Sequence, residues 1–229
     1  VGALYPEKLA SLVREHEADL GIALDGDADR LILVDGSGNV VDGDQTLALI
    51  ACDMLEREEL NHRTLVATVM SNLGLERSIR RMGAELVRTQ VGDRYVVEKM
   101  RAEGYNLGGE QSGHIVSLNH STTGDGLISA LQVCRIMVER DRPLSELADI
   151  MERVPQVLKA VKVQSKPPLS SLPSVSGLIG KIESELGDSG RILVRYSGTE
   201  KKCRVMLEGD SQDQIESYAM DVVRALEQE

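Results

Sequence analysis

From residue 65 onward, short apolar runs of strand length alternate with stretches of helical spacing, and this alternation restricts the chain to an α/β architecture. The pattern predicts strands over 65–70 and 85–89, a helix over 73–82 stopped by Gly83, and a short helix over 95–101. Strands over 105–107 and 114–118 flank a glycine-rich turn. An amphipathic helix follows, with Leu127, Ala130, Leu131, Cys134, Met137 and Val138 as its apolar stripe. In open α/β domains, ligands sit in the loops at the strand ends.

Upstream, helical spacing over 6–16 and a strand over 20–24 form a fragment too small to be a domain alone. Segments 31–34 and 39–41 pair across Asp35-Gly36-Ser37-Gly38, a loop of hairpin residues. Asp42-Gly43-Asp44 then separates this piece from a long helix with Leu47, Ile50, Ala51, Met54 and Leu55 on its stripe. Downstream, Pro143 suits the first turn of a short helix, and a boundary is expected near 151–155. Beyond it lie a strand over 157–163, a Pro/Ser-rich connection over 165–176 expected to be mobile, and a helix over 178–186. Strands over 191–195 and 203–208 precede a last helix carrying Ile215, Tyr218, Ala219, Val222, Val223 and Leu226. The expected fold is the end of one α/β domain (1–41), a complete three-layer-type α/β domain (42–152) and a small C-terminal α+β domain (153–229).

With no Trp, no Phe and only 2% aromatic residues, the cores must rest on Leu, Ile, Val, Met and Ala, and the composition argues against base-stacking surfaces. A net charge of −11 argues against nucleic acid or an anionic membrane as partner, so any bound phosphate is small and met by a local basic cluster. Cys52, Cys134 and Cys203 form no C-x-x-C pair and read as reduced, buried thiols of a cytoplasmic protein. No apolar run has the length of a membrane span, and no signal peptide is read. Val1-Gly2-Ala3-Leu4 lacks an initiator Met and opens directly into helix-like sequence, which is expected of a piece of a longer protein.

Four loops carry chemistry. In Asp25-Gly26-Asp27-Ala28-Asp29-Arg30, alternate carboxylates leave one buried run and enter another. Turning at Gly26 and Ala28 brings hard oxygen ligands together for a cation such as Mg²⁺; an acidic hairpin tip is the competing reading. A calcium EF-hand is ruled out, because it needs Gly where Arg30 stands and Glu where Gly36 stands. In Gly108-Gly109-Glu110-Gln111-Ser112-Gly113-His114, glycines permit close approach while Glu110, Ser112 and His114 suit sugar hydroxyls, with a plain hairpin as the alternative. Gln90-Val91-Gly92-Asp93-Arg94 reads first as a helix start with Asp93 as its cap. Around Arg195-Tyr196-Ser197-Gly198-Thr199-Glu200, hydroxyls, freed backbone N–H groups and the cations Arg195, Lys201, Lys202 and Arg204 can surround a phosphate; a polar strand connection is the bland alternative.

The order D-G-D-x-D-R, V-G-D-R-Y-V, G-G-E-Q-S-G-H, R-x-S-G-T-E resembles the α-D-phosphohexomutase superfamily over essentially the whole chain. Met70-Ser71-Asn72-Leu73-Gly74-Leu75 and Thr122-Thr123-Gly124-Asp125-Gly126 resemble its phosphoglucosamine mutase branch. The resemblance implies four domains, of which this chain holds the end of the second, the third and the fourth. It implies Asp25, Asp27 and Asp29 on Mg²⁺ and Arg30 at the reacting phosphoryl group. Glu110 and Ser112 would meet ring hydroxyls, with His114 beside them for proton transfer. Arg195, Ser197, Gly198 and Thr199 would hold the non-reacting phosphate, assisted by Arg204. Lys201 stands where the family has Pro, which costs rigidity and adds a cation. The implied reaction interconverts glucosamine 6-phosphate and glucosamine 1-phosphate through a phosphoserine and a bisphosphate. That serine has no counterpart here, so the chain alone is expected to be inactive, its partners being a phosphosugar and the preceding domains of the same polypeptide. Phosphomannomutase or phosphoglucomutase activity, or a non-catalytic Mg²⁺ and phosphosugar-binding module, are the alternatives.

Overall fold

The computed structural model describes residues 5–228, so the expected helix-like opening at Val1 to Leu4 lies outside the described residues. The chain divides into two compact units, Val1–Glu152 and Arg153–Glu229, each with its own core.

The first unit contains two sheets. Helix α1 (Glu7–Glu15) packs on strands β1 (Leu20–Leu24) and β2 (Leu31–Asp35), which pair antiparallel across the acidic turn, and β3 (Val40–Val41) pairs with β2. Asp35 closes the β2–β3 turn by accepting from the backbone N–H groups of Ser37 and Asn39. Helix α2 (Gly43–Glu56) leads to β4 (Thr64–Thr68), α3 (Leu73–Arg81), β5 (Glu85–Thr89), α4 (Asp93–Glu103), β6 (Leu107–Gly109) and β7 (Ile115–Ser117). The second sheet has the order β5-β4-β6-β7, parallel except for the final β6–β7 pair. Alternation along β4 gives the sheet two covered faces. Leu65 and Ala67 join the core with Leu47 and Ile50 of α2 and Ile79 of α3, while Val66 packs with Val96 and Met100 of α4. Helices α5 (Gly126–Arg140) and α6 (Leu144–Ala148) finish the unit.

Several expectations shift. Asp42 is the N-cap of α2, with Gly43 and Asp44 inside the helix rather than separating it, and burial extends round the helix to Ala48 and Leu49. The strand after α4 is 107–109 instead of 105–107, which places Gly108 and Gly109 in the sheet. Pro143 is the cap of α6 and not part of its first turn. On α5 the buried face is Ser129, Ala130, Gln132, Val133 and Ile136, whereas Leu127, Leu131 and Val138 are 54%, 60% and 80% exposed. Only Cys203 of the three thiols is fully buried.

The second unit is an antiparallel sheet of order β8-β10-β9, built from β8 (Gln156–Lys162), β9 (Gly190–Tyr196) and β10 (Lys202–Gly209). Helices α7 (Pro173–Leu186) and α8 (Gln212–Glu227) contribute Val175, Ile182, Ile215, Ala219 and Val222 to a core with Val161, Cys203 and Val205. Helix α7 begins inside the expected Pro/Ser-rich connection, because Pro173 is suited to a first helical turn. Among the described residues, no helix is long and apolar enough to cross a membrane.

Candidate functional site

In the first unit, β4, β5 and β6 run parallel; the loop after β4 meets the start of α2, the loop after β6 meets both α2 and the strand leaving the acidic turn, and the loop after β5 meets the loop after β6. The turn itself is shaped by one residue: Ala28 adopts a left-handed conformation (φ 59°), while Gly26 does not require one. Asp25 closes it, its Oδ1 accepting from the Arg30 backbone N–H at 3.1 Å. Ligand oxygens of Asp25, Asp27 and Asp29 consequently lie within 4.8 Å of one another. Three carboxylates this close repel each other unless a cation lies among them, and an all-oxygen donor set suits Mg²⁺. Arg30 Nε is buried without a hydrogen bond, 3.8 Å from Asp25 Oδ2. The residues present therefore fit a hard divalent cation with an anionic group beside it.

The glycine-rich loop is stitched to this turn. Leu31 N–H donates to the Gly113 carbonyl at 3.0 Å, and Arg30 and His114 form an antiparallel bridge. Gly113 is required there: its φ is +93°, and a Cβ would lie 2.0 Å from the Leu31 carbonyl oxygen. His114 is 4% exposed, and its Nδ1 lies 3.0 Å from Asp29 Oδ2. Its Nε2 is buried without a hydrogen-bond partner, and a Cβ on Gly124 would come within 2.4 Å of it. Glu110 is half-buried, its Oε1 accepting from Gly92 N–H at 3.0 Å, while Ser112 is exposed.

Sequence reasoning missed two positions here. Gly92, not Asp93, caps α4, and its N–H is taken by Glu110, so the loop after β5 orients the carboxylate of the loop after β6. Arg94 points away into an exposed pair with Glu98. Asp44 is fully buried and accepts from Asn72 N–H at 2.7 Å, tying α2 to the loop after β4. The only signal for it in the sequence is a carboxylate at the start of an apolar helix.

In the second unit, the turn between β9 and β10 is closed by Ser197 N–H donating to Lys202 O, and Ser197 Oγ accepts from Glu200 N–H at 3.3 Å. Arg195 and Arg204 are directly opposite across the two strands. Burial and the Arg204 charge lower the Arg195 pKa, a like-charge arrangement that an anion would relieve. Gly198 and Thr199 are exposed, and the space over Gly198 is open. Glu200 pairs with Lys202 and Arg204 and so partly neutralises the cluster. Lys166, from the stretch expected to be mobile, donates to Ser197 O at 2.5 Å and adds a cation that the sequence did not place there.

Residues 42–154 match the phosphoglucomutase/phosphomannomutase α/β/α domain III, and residues 158–225 match the C-terminal domain of the same proteins. A phosphoglucosamine mutase of Geotalea daltonii is 54% identical over 226 residues, covering 99% of this chain and 50% of the relative. One of Nitratidesulfovibrio vulgaris is 58% identical over 218 residues, covering 95% and 48%. The chain thus spans about half the length of the relatives it matches. A phosphoglucomutase/phosphomannomutase family protein of Burkholderia thailandensis shares the fold, with TM-score 0.77 at 23% identity over 99% of this chain and 51% of that one. So does an Aspergillus fumigatus N-acetylphosphoglucosamine mutase solved with GlcNAc-6P and magnesium, with TM-score 0.69 at 21% identity over 89% and 51%.

Proposed function

This chain belongs to the phosphoglucomutase/phosphomannomutase family, and from that membership we propose that it is the C-terminal half of a mutase interconverting glucosamine 6-phosphate and glucosamine 1-phosphate. The observation that carries the reading is the convergence of three carboxylates within 4.8 Å on a loop bonded directly to the Glu110, Ser112 and His114 loop. The identity to phosphoglucosamine mutases, 54% and 58%, favours that sugar over glucose or mannose. The protein is cytoplasmic in this reading, and its partners are the phosphosugar and the preceding half of the longer polypeptide.

Asp25, Asp27 and Asp29 hold Mg²⁺, which supplies charge neutralisation at a phosphoryl group. Arg30, continuing the same turn, presents a guanidinium to phosphoryl oxygens. Glu110, oriented by Gly92 N–H, accepts from a ring hydroxyl, and Ser112 offers a second polar contact. His114 fixes Asp29 through Nδ1; proton transfer by its Nε2 requires the Gly124 turn to move aside. Arg195, Ser197, Gly198, Thr199 and Arg204 bind a phosphate group. The donor of the phosphoryl group, a phosphoserine, belongs to the preceding half.

The test is binding by this chain. Calorimetry should show weak Mg²⁺ affinity that Asp27→Ala abolishes; tight binding indifferent to Asp27 would overturn the metal assignment. A coupled assay should show no turnover by the 229-residue chain, and measured turnover would refute the need for a separate serine domain. Rates of the longer polypeptide on glucosamine, glucose and mannose phosphates decide the sugar.

A further inference from the structure

The first turn of α2 touches two of the three loops at the strand ends. Gly43 N–H donates to Gln111 O at 3.1 Å, and a Cβ on Gly43 would lie 2.3 Å from Glu110 O and 2.6 Å from Gly113 N. The helix start is thus pressed against the 110–113 loop with no room for a side chain. One residue on, Asp44 sits at 0% exposure, with Oδ2 accepting from Asn72 N–H and Oδ1 buried without a hydrogen-bond partner. Asn72 in turn caps α3 by accepting from Gly74 N–H at 2.9 Å. The loop after β5 closes the set, because Gly92 N–H donates to Glu110.

We propose that Asp44 is a positioning residue: from inside the first turn of α2 it fixes the loop after β4 and, through that same turn, the 110–113 loop, so that the loops leaving β4, β5 and β6 keep one arrangement. The proposal rests on the reading that the 110–113 loop meets the sugar. Full burial of a carboxyl with one oxygen lacking a partner is costly, and such a group persists where the surroundings over-determine it.

Charge state is the handle on this role. The charged groups facing Asp44 are Asp42 on its own helix and Arg88 of β5, which is itself paired with Glu76 of α3; Glu110 adjoins the helix start through its backbone. Burial, then Asp42, raises the Asp44 pKa to about 7, against the opposing pull of Asn72, Ser71 and Arg88. Ionisation near neutral pH must then be felt at Asn72 and at the helix start together.

The experiment follows backbone amide shifts of the whole chain, without ligand, from about pH 5.5 to pH 8.5, in the unaltered protein and in Asp44→Asn, which keeps an oxygen for Asn72 N–H but cannot ionise. Asn72, Gly43 and Gly113 should titrate with one midpoint, and Asp44→Asn should abolish all three titrations. Affinity for glucosamine 6-phosphate, taken as the ratio of variant to unaltered chain so that ligand ionisation cancels, should change about fivefold across that range, the low end of coupling between sites. Titration confined to Asn72, or the same titrations in Asp44→Asn, would overturn the proposal. If the amides titrate together but no sugar phosphate binds at any pH, the positioning role stands and the ligand assigned to the loop fails.

Discussion

At the scale of single residues, Asp44 and Ser197 allow two measurements. An unfolded Asp loses its proton near pH 4, whereas Asp44 in the fold keeps it to about 7. Between those values the native state holds the extra proton, so raising the pH removes stability, in all roughly 4 kcal/mol at about 1.36 kcal/mol per pH unit. Asp44→Asn mimics the neutral form and should therefore match the unaltered chain at about pH 4 and below, gain on it steadily as the pH rises, and keep the full advantage above about pH 7 in urea unfolding. A stability gap that does not change with pH would show that Asp44 is not the titrating group. Ser197 carries the second prediction. It is 4% exposed and shapes the β9–β10 turn, and Ser197→Ala should weaken phosphate-ligand affinity about tenfold, the worth of one charge-assisted hydrogen bond. Calorimetry showing unchanged affinity would remove Ser197 from the phosphate site.

At the scale of elements, the joined hairpins and the α2–α5 pair set the geometry of the first unit. Gly113→Ala forces a side chain into a left-handed conformation and onto the Leu31 carbonyl, so it should cost about 3 kcal/mol or more and separate the acidic turn from the 110–113 loop. A loss within about 0.5 kcal/mol in denaturant unfolding would mean the loop relaxes freely. Asp53 of α2 is 4% exposed and meets Arg57, Arg135 and Arg140, the last two from α5. Replacing it with Ala leaves three cations sharing the remaining carboxylates, and because those arginines are partly exposed the cost is about 1–2 kcal/mol. The same helix pair shows why α5 was misread. Leu127, Leu131 and Val138 follow helical spacing as well as Ala130, Val133 and Ile136 do, and spacing alone cannot choose between two apolar stripes. The choice fell to α2 and β2, whose apolar residues form one core with Ala130, Val133 and Ile136.

At the scale of the whole molecule, the two units have separate cores, one centred on β4, β6, α2 and α3 and the other on β10, α7 and α8. Thermal unfolding should therefore depart from two-state behaviour, and Val205→Ala should shift one component only; a single transition with matching calorimetric and van't Hoff enthalpies would contradict this. Taken by itself, the sequence determined the alternation of elements, the α/β class and the four loops, because apolar period, glycine and proline act over a few residues. It also identified the family, since the four motifs occur in one order. Tertiary structure alone decided that Gly113 bonds to Leu31, that His114 faces Asp29, that Gly92 orients Glu110, that Lys166 reaches Ser197 and that Asp44 lies buried beneath Asn72. Each of these joins residues far apart in the chain, and the energy of a buried polar contact depends on which partner the fold brings to it, a quantity no local pattern contains.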